Sequence, residues 1–226
     1  MKPERRQRIA LIVPSSNTVM ENDLHRHLPA DRYTVHTARM YLVETTRAAE
    51  LAMIEDHAPK AASDLGTLRP DLLVFGCTSG GSLFGAAYDQ RICDELGERA
   101  GCPALGTLSA VNEALARHDF QRLAVLTPYN DDLTTAVAGA VTTETRRVVA
   151  AHGLGIEDNV ALAEPTPADI LTFAEARLRG VDCDGLFVSC TNFRALEARD
   201  ALAARLGVPV VTSNSAVVDA IRLRLG

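Results

Sequence analysis

Cys77 and Cys190 are the residues of this chain whose type and setting best suit chemistry. Cys77 stands in LLVFGCTSGG and Cys190 in LFVSCTNFR, so each ends a short apolar run and opens a stretch of Thr, Ser, Gly or Asn. Such a run reads as a buried parallel strand, and the polar stretch as the turn that follows it. A thiol in a strand-to-helix turn meets free backbone N–H groups and the positive end of the helix, both of which favour the thiolate. One free cysteine alone is more often a small buried hydrophobe. Two in matching places argue for function, with the thiols facing each other across a single small-molecule site. They could act on the two faces of one carbon, or one could attack while the other handles a proton.

The turns beside the cysteines carry donors: Thr78 and Ser79 after the first, Thr191 and Asn192 after the second. Hydroxyls, amides and helix N-terminal N–H groups hold carboxylates and could stabilise an enolate-like charge, although Ser79 and Thr191 would serve equally well as plain N-caps. Asn17, in PSSNT, and Tyr129, in TPYN, occupy matching positions and could point into the same cleft. Cys93, Cys102 and Cys183 lack this setting and read as structural. The histidines form no ligand spacing, and Arg194 with Glu197 reads as a surface pair. With no Walker A motif, no GxGxxG after a strand and no CxxC or HExxH pair, neither a metal nor an organic cofactor is expected.

These residues need two similar supports, and the chain is written twice. RIALIVPSSNT at 8–18 is echoed by RLAVLTPYNDDLT at 122–134, DLLVFGCTSGG at 71–81 by DGLFVSCTNFR at 184–194, and CPALGTLSAV at 102–111 by VPVVTSNSAV at 208–217. The matches fall in one order, which is the mark of an internal repeat. Helical stretches lie between them: Thr18 and Glu21 have capping-box spacing, and Thr166 before Pro167 starts a helix with Ile170, Leu171, Ala174 and Leu178 on one face. The expected fold is α/β, two pseudo-symmetric lobes, each a four-stranded parallel sheet flanked by helices. Strands should begin near Arg8, Tyr33, Asp71 and Pro103, then near Arg122, Arg147, Asp184 and Val208. Residues 1–110 form the first lobe, completed by 213–226, and 111–212 the second. Ligands gather at the carboxyl ends of parallel strands, so the site should lie in the cleft between the lobes.

Composition narrows the function classes. The chain of 226 residues is 47% hydrophobic, enough for a sizeable core. Its 23 Lys and Arg against 29 Asp and Glu argue against a nucleic-acid partner, which needs a clustered basic surface. MKPERRQ runs straight into a strand-like segment rather than a leader, no apolar run is long enough for a bilayer, and five cysteines are an odd number. The expectation is a cytoplasmic protein with reduced thiols, no membrane partner, and a homo-oligomeric state, most simply a dimer.

PSSNT with Asn17, GCTS with Cys77, PY with Tyr129, IEDN with Asn159 and SCT with Cys190 together resemble the maleate cis-trans isomerases of the aspartate/glutamate racemase superfamily. The resemblance runs over nearly the whole chain. It implies a cofactor-independent reaction on a small carboxylate, with Cys77 as nucleophile and Cys190 in proton transfer. It also implies substrate contacts from Asn17, Tyr129, Asn159 and the turn residues after each cysteine. The related arylmalonate decarboxylases have glycine where this chain has Cys77, which favours an isomerase or a racemase. A two-cysteine racemase or epimerase, a decarboxylase-like enzyme and a non-catalytic anion-binding module are the alternatives.

Overall fold

A computed structural model describes residues 5–226. The first four residues, part of the basic start weighed against a secretion leader, lie outside the described residues. The first half runs β1 (Gln7–Pro14), α1 (Met20–His27), β2 (Tyr33–Met40), α2 (Arg47–Ala52), a π-helical turn (Met53–His57), α3 (Ala58–Gly66), β3 (Leu72–Phe75), α4 (Thr78–Ser82), α5 (Ala86–Ala100), β4 (Ala104–Gly106) and α6 (Thr107–Arg117). The second runs β5 (Arg122–Thr127), α7 (Asp131–Val141), β6 (Arg147–Gly153), a 3-10 turn (Ala161–Ala163), α8 (Pro167–Leu178), β7 (Gly185–Val188), α9 (Ala195–Leu206), β8 (Val210–Thr212) and α10 (Ser213–Leu225).

The two halves form separate four-stranded parallel sheets with the same order, β2-β1-β3-β4 and β6-β5-β7-β8. Ile9, Leu11, Val74 and Phe75 in the first sheet, and Leu123, Val125, Phe187 and Val188 in the second, are wholly buried. That is why the central strands read as unbroken apolar runs: helices cover both faces. The strand starts fall within two residues of those expected from the repeat. The last helix reaches back to the first half. α10 packs on α6 and α1, its Arg224 pairs with Glu113, and Asn214 Nδ2 donates to Asp23 Oδ2 at 2.8 Å.

Thr166 caps α8 as expected, with Asp169 completing the box. Thr18 and Glu21 do not cap α1. The helix starts later because Asn17 Oδ1 accepts the N–H groups of both Val19 and Met20 at 3.0 Å, while the Thr18 N–H is drawn to Asn192 Oδ1 in the other half at 2.8 Å. No helix of the described residues is long and apolar enough to cross a membrane.

Candidate active site

Cys77 leaves β3 in an extended conformation and sits at the N-cap of the five-residue α4, where its Sγ accepts the Gly80 N–H at 3.4 Å. The same sulfur donates to Glu50 Oε2 at 3.2 Å, and the Ser79 hydroxyl donates to the other oxygen, Oε1. Glu50 is carried by α2 and is 0% exposed. Burial pushes its carboxyl up to about 7, against the pull of the Ser79 and Cys77 hydrogen bonds. Burial, and then the neighbouring Glu50 charge, hold the Cys77 thiol well above the ordinary range. The sequence argument for an easily formed thiolate is therefore corrected: one turn of helix and one N–H do not outweigh desolvation beside a carboxylate.

Cys190 is set differently. β7 ends at Val188 and α9 begins only at Ala195, so no helix starts at this thiol and the expected dipole is absent. The residue has φ 101°, a left-handed backbone that a side chain rarely adopts. This bend lets its Sγ accept the Asn192 N–H at 3.2 Å while its own N–H donates to Ser213 Oγ at 3.1 Å. Tyr129 stands beside the Cys190 thiol, which burial raises to about 12. The Tyr129 hydroxyl is itself raised by burial and by the charges of Cys190, Cys77 and Glu50, so the four groups lie close enough to feel one another.

A polar frame crosses between the halves. Asn17 Nδ2 donates to Thr191 Oγ1 at 3.1 Å, and Thr191 Oγ1 donates to the Gly76 carbonyl at 3.0 Å. Thr78 Oγ1 donates to Ser213 Oγ at 2.8 Å, which links the Cys77 turn through Ser213 to the Cys190 backbone. Asn192 Nδ2 donates to the Asn159 carbonyl at 2.5 Å, and Asn159 Nδ2 donates to Ser16 Oγ at 2.6 Å. Beside this frame, the Thr45 N–H meets the Glu157 carbonyl and the Asn159 N–H meets the Val43 carbonyl, joining one loop from each half. The site is closed: Cys190, its most exposed candidate residue, is 4% exposed.

Asn17, Cys77, Thr78, Ser79, Tyr129, Asn159, Cys190, Thr191 and Asn192 are thus brought together as the sequence placed them. Neither Ser79 nor Thr191 is an N-cap; each is turned to a side chain or carbonyl of the site. Arg194 pairs with Glu197 on the surface, as expected. Glu50 and Ser213 were not anticipated. Ser213 could have been found from the third echo, since TSNSA ends a strand as GCTS does. Among the described residues no group of three or more His, Cys, Asp or Glu is arranged to hold a metal ion.

A model of the arylmalonate decarboxylase family matches residues 9–225. The chain belongs to that family. Among relatives of this arylmalonate decarboxylase family member, a maleate isomerase of Pseudomonas putida is 29% identical over 229 residues, covering 95% of this chain and 90% of its own. A crystal structure of a Pseudomonas putida maleate isomerase superposes with a TM-score of 0.88 at 25% identity, over 98% of this chain and 93% of that one. The Nocardia farcinica maleate cis-trans isomerase shares the fold, with a TM-score of 0.86 at 22% identity over 96% and 92% of the two chains; it was solved as a Cys-to-Ser mutant with a covalently bound succinylcysteine intermediate.

Proposed function

We propose that this chain is a cofactor-independent cis-trans isomerase of maleate or a similar small unsaturated dicarboxylate. The observation that carries the reading is the meeting of Cys77 and Cys190, one from each half, in one buried polar cluster in which Ser213 links the Cys77 turn to the Cys190 backbone. The Cys77 thiolate adds to one alkene carbon, and the π electrons move onto the adjacent carbon and its carboxylate. The former double bond is now single and rotates. Expulsion of the sulfur re-forms the double bond in the trans geometry, giving fumarate. A succinylcysteine is what remains when the carbanion takes up a proton, a transfer that falls to Cys190, and the proton is not removed again to expel the sulfur.

No lysine or arginine side chain stands among the candidate residues, so the carboxylates fall to neutral donors. The N–H groups of Thr78 and Ser79 head α4 without helical partners, and the Tyr129 hydroxyl and the Asn17, Asn159 and Asn192 amides line the frame. Cys190, beside Tyr129, is the group that can lend a proton to the carbanion and take it back before the sulfur is expelled. The unlike partners of the two thiols, a carboxylate for Cys77 and a phenol for Cys190, favour addition by one sulfur over a symmetric two-base racemase. In this reading residues 1–110 with 213–226 form one lobe and 111–212 the other, and the free cysteines fit a reducing cytoplasmic setting.

The test is proton NMR of maleate with the purified protein and nothing added. Fumarate appearing is the expected result. Maleate left untouched while deuterium from the solvent enters a chiral amino or hydroxy acid would transfer the reading to a racemase.

A further inference from the structure

Glu50 is fully buried, and among the described residues no Lys, Arg or His forms a hydrogen bond or ion pair with it. An uncompensated buried carboxylate is costly, so Glu50 takes up a proton more readily than a solvated carboxyl does. Ser79 holds Oε1, which leaves Oε2 aimed at Cys77 Sγ 3.2 Å away. Position 80 is glycine, and a Cβ there would lie 2.9 Å from Oε2 and 3.3 Å from Sγ, so the small residue keeps the contact open.

We propose that Glu50 is the proton acceptor that turns the Cys77 thiol into a nucleophile and returns the proton when the sulfur leaves. The proposal rests on the reading of Cys77 as the attacking group. In the forward step the S–H bond breaks and its proton bonds to Oε2. The sulfur lone pair forms the S–C bond, and the alkene π pair moves to the neighbouring carbon and its carboxylate. On expulsion the S–C pair returns to sulfur, the π bond re-forms and the proton goes back from Oε2. No proton or electron is left over.

Charge explains why the pair can work in a closed site. Thiol with carboxylate, and thiolate with carboxylic acid, each carry one negative charge, so the transfer introduces no second buried ion. Cys77, at the N-cap of α4, and Ser79, in its first turn, face Glu50, and Tyr129 and Cys190 lie near it in the turns after β5 and β7. Burial keeps both thiols and the phenol protonated at neutral pH, so Glu50 is the member of this group that titrates there. On its own helix Arg47 is turned away, to the Leu83 carbonyl and Asp132.

The experiment follows iodoacetamide alkylation of Cys77 against pH in the intact protein, by peptide mass spectrometry, for wild type, Glu50→Gln and Glu50→Asp. The wild-type rate should rise through a midpoint near 7, where Glu50 ionises. Glu50→Gln keeps the shape and can still bond both neighbours, yet should lower Cys77 alkylation at neutral pH by about 10²-fold and abolish the midpoint. Glu50→Asp should keep a midpoint at a reduced rate. A Glu50→Gln profile that matches wild type overturns the proposal, and so does a Glu50→Asp profile without a midpoint. Fumarate production is scored separately. Glu50-dependent alkylation in a protein that leaves maleate untouched supports this proposal while the substrate reading fails, whereas wild-type fumarate production by Glu50→Gln overturns this proposal alone.

Discussion

The Cys77 sulfur donates to Glu50 Oε2 across 3.2 Å, and both side chains are shut away from water. The burial of Glu50 makes stability depend on pH, against the weaker opposite pull of the Cys77 bond. In the folded protein Glu50 holds its proton up to about 7, against an ordinary value of 4.5. The stability it contributes is full below pH 4.5 and is lost as pH rises through 7, because the unfolded chain gives up the proton first. Glu50→Gln removes that loss, which is on the order of 3 kcal/mol. The variant should melt above wild type in mildly alkaline buffer, and the gap should close by pH 4.5. Thermal unfolding at the two pH values checks it; a gap of the same size at both contradicts it.

Cys190→Ala separates the two thiols. Tyr129 loses its sulfur partner, and isomerase turnover should fall by about 10²-fold or more, while Cys77 alkylation stays at the wild-type rate. Cys190→Gly should be equally inactive and yet more stable than Cys190→Ala by about 1–3 kcal/mol, because both lose the sulfur while only glycine accepts φ 101° without strain. Turnover assays beside denaturant unfolding measure both effects.

Asn17 holds the halves together more than it touches chemistry. Its oxygen caps two N–H groups at the start of α1, and its nitrogen donates to Thr191 across the cleft. Asn17→Ala should cost about 1–3 kcal/mol of unfolding free energy. Asn17→Asp keeps the capping oxygen and should lose less. Equal losses in urea denaturation would show that the cross-cleft bond, not the cap, carries the stability.

Gly80→Ala is a quiet way to part Glu50 from Cys77. The added methyl carbon would stand 2.9 Å from Oε2 and 3.2 Å from Ile54 Cδ1, both ends of side chains, so the carboxylate must move off Cys77 while the backbone stays in place. Activity should fall well beyond the modest drop in melting temperature that the shifted side chains cause. A variant with full turnover would show that the contact is not needed.

Much of this arrangement is legible in the sequence. The three echoed segments located the central strands, because strands buried on both faces are written as apolar runs and end in turn residues. Cys77, Cys190 and the donors beside them followed from that. Glu50 was not legible. It lies in RAAELA, an ordinary helical stretch in which a glutamate reads as solvated, and only the packing of α2 near α4 buries it. The same packing reversed the thiol argument, since a cysteine's pKa follows its desolvation and its neighbours more than its place in a turn. The Thr18 reading failed for a related reason: spacing shows which residues can cap, while Asn192, distant in sequence, decided where the Thr18 N–H goes.

The most direct test is whether a substrate carbon becomes bonded to Cys77. Cys190→Ser protein is mixed with maleate, quenched in acid, digested and examined by peptide mass spectrometry, beside the Cys77→Ala, Cys190→Ser double variant. The expected result is a succinyl group on the peptide carrying Cys77 and none in the double variant, with Cys77→Ala alone making no fumarate. Full isomerase activity in Cys77→Ala, with no adduct on Cys77 in any variant, would contradict covalent isomerisation at this cysteine.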